Sequence, residues 1–196
     1  MTLAPRICIA VLAAGESARF GAPKLAEPWQ GRPLLQHALR AAATAFPADV
    51  YLVTGQDAVL ISTASDGMAS VELFNSKFAN GIGSSIACAA EACRGTTDAL
   101  VIALADQPMV TATHLRSLAT KWAGKLDRIV ATEFSGVFGP PVLFGSDFLE
   151  DLCKLRDDQG AKAILNANIQ SVDAVCFEPA SIDIDTPGDL DALDSS

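Results

Sequence analysis

The sequence predicts a single α/β domain in which a mostly parallel sheet lies between two layers of helices. Three observations carry that expectation. Short apolar runs alternate with helical patterns from one end of the chain to the other. Those runs are continuously apolar, as in strands covered on both faces. The chain has 196 residues, half of them hydrophobic, which is enough for one well-buried core and short for two.

The elements follow in order. Residues 6–13 form the first strand, which ends at the small residues Ala14 and Gly15. Residues 33–46 read as a helix with Leu34, Leu35, Ala38, Leu39 and Ala42 on one face, broken by Pro47 and Ala48. A second buried strand spans 50–54, a helix 56–64, and a third strand 70–74. Asn80 opens a glycine-serine stretch leading into an alanine-rich helix over 86–94. The strongest strand pattern, 99–105, stops at Asp106, and Thr111 is placed to cap a helix over 111–122. Strands five and six are 127–132 and the short 141–144. Helices at 146–155 and 159–166 flank a polar turn at 156–158. The last strand is 171–177, and a terminal helix over 187–193 carries Pro187 in its first turn. No repeat, low-complexity tract or linker interrupts this order, so residues 1–196 read as one domain. Such alternation predicts a Rossmann-like, three-layer α/β/α fold with helices on both faces. Ligands in that architecture gather at the carboxyl ends of the strands, which here carry the loops 14–24, 75–85 and 106–109.

Composition narrows the partners. The net charge is −9 and only 19% of residues are charged, so no global field draws nucleic acid or an anionic membrane. An anionic ligand must be recruited by local cations or by metal. Five cysteines, an odd number without a C-x-x-C pair, sit mostly among apolar neighbours, as reduced thiols of a cytoplasmic protein do. The apolar N-terminal segment, interrupted by Pro5 and Arg6, is too short for a membrane span and lacks a signal peptide's layout.

Scarce cations make the stretch 11–25, V-L-A-A-G-E-S-A-R-F-G-A-P-K-L, informative. A glycine turn with open N–H groups, flanked by Arg19 and Lys24, is a physical recipe for holding phosphates; the alternative is a surface loop with solvated charges. Two familiar phosphate motifs are excluded. Five residues separate Gly15 from Gly21 and Lys24 lies three beyond, which breaks a Walker A loop. The run Gly81-Ile82-Gly83-Ser84-Ser85-Ile86 ends in isoleucine where a dinucleotide fingerprint needs glycine. Asp106 ends an apolar strand and so stands at the ligand edge, where a carboxylate can share a magnesium ion with substrate phosphates; the alternative is a turn-forming aspartate. His37 and His114 each lie alone in a helical pattern and read as surface or packing residues.

Residues 12–25 match the signature L-A-A-G-x-S-x-R-[FM]-G-x-x-K-L of the molybdenum-cofactor nucleotidyltransferases, a group within the nucleotide-diphospho-sugar transferase-like superfamily. Five later stretches agree in order: N-G-I-G-S-S-I at 80–86, L-A-D-Q-P-M-V at 104–110, G-P-P-V-L-F at 139–144, D-Q-G-A-K-A-I-L at 158–165 and D-I-D-T-P-G-D-L at 183–190. Within the group the chain most resembles the cytidylyltransferases acting on molybdopterin and related accessory proteins of molybdenum hydroxylases.

That resemblance implies transfer of CMP from CTP to a molybdopterin-type acceptor, with release of pyrophosphate and dependence on Mg2+, or Mn2+ in its place. It implies nucleotide contacts at Leu12, Ala13, Ala14, Gly15, Arg19, Lys24, Gly81, Ser84, Ser85 and Asp106. Arg19 and Lys24 carry the catalytic charge on the phosphates, and Asp106 and Asp185 hold the metal. Gly139 and Pro141 lie on the acceptor side, which Glu27 and Trp29 also shape. Ser84 and Ser85 have N-capping as the alternative reading, and Asp185 a helix-cap role; Asp183 alternates with Asp185 and should point the other way. Alanine at 14, where guanylyl-transferring relatives carry glycine, favours CTP over GTP. Two departures concern the acceptor: Pro140 stands where the group has histidine, and Lys162 where arginine is common, which keeps charge but not bidentate contact. A client molybdoenzyme is the expected partner. The rival readings are a guanylyl- or cytidylyltransferase for another phosphorylated acceptor, such as a sugar phosphate, and a non-catalytic cofactor chaperone with the same fold.

Overall fold

The computed structural model describes residues 4–15, 20–157 and 160–194. Inside its main sheet runs the strand β1 (Ile7–Ala13), flanked in parallel by β4 (Val50–Thr54) and β6 (Ala99–Leu104). With β5 (Val71–Phe74), β7 (Ile129–Phe134), β8 (Val137–Gly145) and β9 (Val172–Cys176) it forms one seven-stranded sheet in the order β5-β4-β1-β6-β8-β7-β9. A separate two-stranded hairpin pairs β2 (Pro28–Trp29) with β3 (Arg32–Pro33).

Helices cover both faces. Ile9, Val11 and Ala13 of β1 share one core with residues of α1 (Leu34–Ala45), α2 (Ala58–Ser65) and α4 (Ala112–Trp122). Cys8, Ala10 and Leu12 share the other with α3 (Ile82–Cys93), α5 (Leu149–Cys153) and α6 (Lys162–Ala167). The period of two sends successive side chains to opposite faces, and since both faces are buried the strand must be apolar throughout. A last helix, α7 (Pro187–Asp194), closes the described chain.

Three local differences from the sequence reading have physical causes. The first is β8, nine residues long and antiparallel to both neighbours, where the sequence pattern supports only 141–144. Ser135 and Gly136, at φ 50° and 74°, make a tight left-handed turn that returns the chain beside β7. Register jumps from Ala131↔Val142 to Thr132↔Gly139, while pairing with β6 covers 142–145 alone. Pro140 and Pro141 therefore occupy a bulge in which no ladder N–H is required of them. The second is α3, which begins at Ile82, ahead of the expected 86. Gly81 enters at φ 85°, and the Ser84 hydroxyl bonds the Lys77 and Gly81 carbonyls, so tertiary bonds outweigh the weak helix propensity of glycine and serine. The third is the segment 146–155, split into a 3-10 turn, Ser146–Phe148, followed by α5. The expected start of the 159–166 helix lies outside the described residues.

The bulge is braced from behind. Thr132 Oγ1 donates to the Pro141 carbonyl at 2.6 Å, so it accepts from His114 Nε2–H at 2.8 Å. The imidazole stacks on Phe177, with ring centroids 4.2 Å apart. Burial pushes His114 down to about 4 and holds it neutral. His37, on α1, donates Nε2–H to the Trp29 carbonyl and so anchors the small hairpin.

The unfolded imidazole takes up a proton near 6.5, which the buried one refuses until about 4. Folding stability in urea should therefore fall as pH drops through that window, by up to about 3 kcal/mol from this group, and change no further below it. His114→Gln, which keeps a donor toward Thr132, should lose this share. A wild-type-minus-variant difference that stays constant from pH 7 to 4 would overturn the assignment.

Candidate active site

The carboxyl ends of β1, β4 and β6 lie level, with Ala13 beside Thr54 and Leu12 beside Leu104. The loops leaving them enclose a cleft of about 440 Å3. Leu12, Ala13, Ala14 and Gly15 form its floor, Gly81, Ile82 and Ser85 one wall, and Lys24, Asp106 and Asp185 the polar end. Of the residues expected at a nucleotide site, all of Leu12, Ala13, Ala14, Gly15, Lys24, Gly81, Ser85 and Asp106 border this one cleft. Arg19 lies outside the described residues. Ser84 does not border the cleft; it is buried, accepting from Asn75 Nδ2 and donating to backbone carbonyls. Gly139 borders a second, smaller pocket, and Pro141 is buried in the bulge with its carbonyl bonded to Thr132.

At the polar end, Lys24 Nζ donates to Asp106 Oδ2 at 2.7 Å, to the Ile184 carbonyl at 2.7 Å and to Asp185 Oδ1 at 3.4 Å. The lysine side chain is only 13% exposed, so it reaches the cleft as a guided charge rather than a solvated one. Lys24 begins a short 3-10 turn, Lys24–Ala26, anchored by the buried Leu25. Asp106 turns off β6, and its carbonyl accepts from Ile184 N–H at 3.0 Å, which draws the 182–186 segment to the sheet edge. Asp189 fixes that segment's other end by accepting from the Asp185 and Thr186 N–H groups. Those bonds, Asp185's first, hold its carboxyl below the usual range. Asp183 titrates above the usual range, through partial burial first and then repulsion from Asp106 and Asp185, although its bond to Gln107 opposes the shift.

The local charge is thus acidic around one ammonium. Among the described residues no three His, Cys, Asp or Glu side chains form a ready-made metal cluster. Two carboxylates facing one cation suit instead a hard ion that draws most of its shell from water and phosphate. The arrangement can neutralise a phosphate chain and keep it aligned beside the β1 loop.

Two residues that shape the cleft escaped the sequence reading. Gly55, just after β4, allows close packing: a Cβ there would lie 2.8 Å from the Ala14 carbonyl oxygen and 2.8 Å from Phe78 Cβ. Asn75, just after β5, is buried and donates Nδ2–H to both Ser84 and Ser85 while its Oδ1 accepts from Lys77 N–H. Their one sequence signal is position, since each directly follows a strand at the ligand edge.

Residues 9–173 match the MobA-like NTP transferase domain. The chain belongs to the MobA-like NTP transferase family. It is 28% identical to the purine catabolism protein PucB of Bacillus subtilis strain 168 over 203 residues, covering 93% of each chain. The bifunctional protein GlmU of Sinorhizobium fredii is 36% identical over 129 residues, which cover 64% of this chain and 28% of that protein. The chain therefore spans little more than a quarter of that relative's length. Among solved structures, Rv0371c of Mycobacterium tuberculosis H37Rv superposes with a TM-score of 0.83 at 24% identity, covering 100% of both chains. Its manganese complex gives 0.78 at 23%, covering 97% of this chain and 99% of that one. At such identity the likeness to Rv0371c is one of fold.

Gly55→Ala should push the Ala14 carbonyl and Phe78 apart, weakening nucleotide binding about tenfold and costing roughly 1–3 kcal/mol of stability. Titration calorimetry with CTP and urea unfolding measure the two effects. Affinity unchanged within twofold would mean that Gly55 does not set the cleft's shape.

Proposed function

We propose that the chain transfers CMP from CTP to the phosphate of a molybdopterin-type acceptor and releases pyrophosphate. The observation that carries this reading is Lys24, bonded to Asp106 and Asp185 at the mouth of a cleft floored by the small residues after β1. Membership of the MobA-like NTP transferase family and six motifs in matching order support it, and Ala14 favours cytidine. An acceptor phosphate oxygen attacks the α-phosphorus of the nucleotide. A new phosphoanhydride bond forms as the bond from the α-phosphorus to its β-bridging oxygen breaks, and pyrophosphate leaves with that electron pair. No general base is required, because a phosphate monoester is mostly dianionic near neutral pH. Catalysis then rests on alignment and charge neutralisation. Backbone groups of Ala13–Gly15 cup the phosphates, and Lys24, with Arg19 of the same loop, meets the charge that develops on the leaving group.

Asp106 and Asp185 would hold a divalent ion, Mg2+ or Mn2+, whose chemistry is to place positive charge on phosphate oxygens; the manganese complex of Rv0371c supports divalent metal use. The cytoplasm is the proposed compartment, and a molybdoenzyme the proposed recipient of the product. Among the described residues no helix is long and apolar enough to cross a membrane.

The test is pyrophosphate release with CTP or GTP, magnesium and molybdopterin. CTP should be preferred, and Lys24→Ala should lower turnover by about 100-fold with the circular dichroism spectrum unchanged. Asp106→Asn should abolish the magnesium dependence of nucleotide affinity. Nucleotide binding without pyrophosphate release in the presence of any acceptor would support the non-catalytic chaperone instead.

A further inference from the structure

Asn75 follows β5 directly and is 4% exposed. Its amide fits only one way round. The Lys77 backbone N–H, which can only donate, lies 2.9 Å from Oδ1, so the oxygen faces that N–H and Nδ2 faces α3. Both Nδ2 hydrogens are spent there, on Ser84 Oγ at 2.8 Å and Ser85 Oγ at 3.1 Å. Each serine oxygen thus accepts from Asn75 and must place its own proton elsewhere. Ser84 shares its proton between the Lys77 and Gly81 carbonyls, each at 2.8 Å. Ser85 is also 4% exposed and borders the cleft, and its proton meets no acceptor among the described residues.

A buried hydroxyl proton without an acceptor carries a desolvation penalty, which an incoming acceptor relieves and an incoming donor does not. With the phosphates at the Lys24 end of the cleft, the nucleoside half lies along the wall of Gly81, Ile82 and Ser85. Cytosine carries two adjacent acceptors, N3 and O2, on its pairing edge, whereas guanine carries two adjacent donors there, N1–H and N2–H. A serine free to rotate would serve either base. One whose oxygen is already engaged from behind presents its proton and favours cytosine. We propose that Asn75 is a positioning residue for base selection: it engages Ser85 Oγ so that the hydroxyl proton meets an acceptor of the pyrimidine ring. Ser85 makes the contact and Asn75 sets its polarity. The inference rests on the nucleotide reading of the cleft and not on the transfer step.

Asn75→Asp is the isosteric test. One carboxylate oxygen still accepts from Lys77 N–H, while the other accepts the serine protons instead of donating to their oxygens, so Ser85 turns its lone pairs to the cleft. Titration calorimetry on the full chain, with magnesium, gives the affinities for CTP and GTP; their ratio cancels the general effect of a new negative charge on triphosphates. The wild-type chain should prefer CTP. Asn75→Asp and Ser85→Ala should each cut the CTP-to-GTP affinity ratio about tenfold. In the Ser85→Ala background, Asn75→Asp should leave the ratio within about twofold, because the group it acts through is gone. A ratio unmoved by Ser85→Ala, or one that Asn75→Asp still shifts when Ser85 is absent, would overturn the proposal. Should Asn75→Asp fail to fold, Asn75→Ala, which frees Ser85 to turn either way, should lower the ratio about fivefold, and Ser85→Ala decides alone should both fail. The deoxynucleotide dCTP separates base from sugar: Ser85→Ala should weaken it as much as CTP, and a loss confined to ribonucleotides and equal for CTP and GTP would place the proton on the ribose and overturn base selection. Pyrophosphate release by the wild-type chain separates this inference from the transfer reading. Ratios that shift as described, with no pyrophosphate released in the presence of any acceptor, would sink transfer and leave base selection standing. Release with CTP alongside a ratio indifferent to Ser85 would keep transfer and sink base selection.

Discussion

One ammonium holds the ligand edge of this sheet together. Lys24 Nζ bonds Asp106 after β6, the Ile184 carbonyl and Asp185 before α7, so three separate segments meet at one charge. Without a cation between them, Asp106 and Asp185 would face each other across a partly dehydrated cleft, where like charges repel more strongly than in water. The stiffness of the site and its chemistry therefore share one source. The same positive charge that makes the acidic edge tolerable in the folded chain is the charge a phosphate chain would meet on entering.

One wall of the second pocket is built on a different constraint. A strand inside a sheet has no place for adjacent prolines unless their missing donors fall where none is needed. The bulge between Ala131 and Thr132 provides that place, and the His114–Thr132–Pro141 chain supplies the bulge with its polar partners. A neutral imidazole is the tolerable form there, because a charged one would be buried against Phe177 with no counter-ion bonded to it among the described residues. Gly139 depends on the same packing, since a Cβ at that position would meet the Phe134 ring at 2.6 Å. A segment whose composition disfavours a strand is thus kept extended beside the second pocket.

Much of the site was legible before the fold was known, and the reason is local. Leu12 and Ala13 end a buried strand and Ala14 and Gly15 follow it, and both the strand pattern and the motif that names these residues are read without knowledge of neighbours. Asp106 was legible for the same reason. Ser84 was not: serine before an apolar helix reads equally as a ligand contact or a cap, and only Asn75, Lys77 and Gly81 reveal that its hydroxyl is committed inward. Gly55 and Asn75 were missed because their roles lie in what packs against them. The hairpin of Trp29 and Arg32 was missed because two-residue strands leave no periodicity, although Gln30 and Gly31 turn the chain at φ 47° and 79°.

The sequence by itself determined the number of strands in the main sheet and their succession along the chain, the two-faced burial of the central ones and the family. Short, continuously apolar runs that alternate with helical patterns fit strands covered on both sides, and ordered motifs survive without reference to distance. Only the tertiary structure decided that Lys24 meets partners 82 and 161 positions away, that β8 runs antiparallel through a bulge, and that an apolar pocket adjoins the cleft. Each of these depends on strand register and on the facing of side chains across layers. Those are set by packing between distant segments, which no local pattern in the chain encodes.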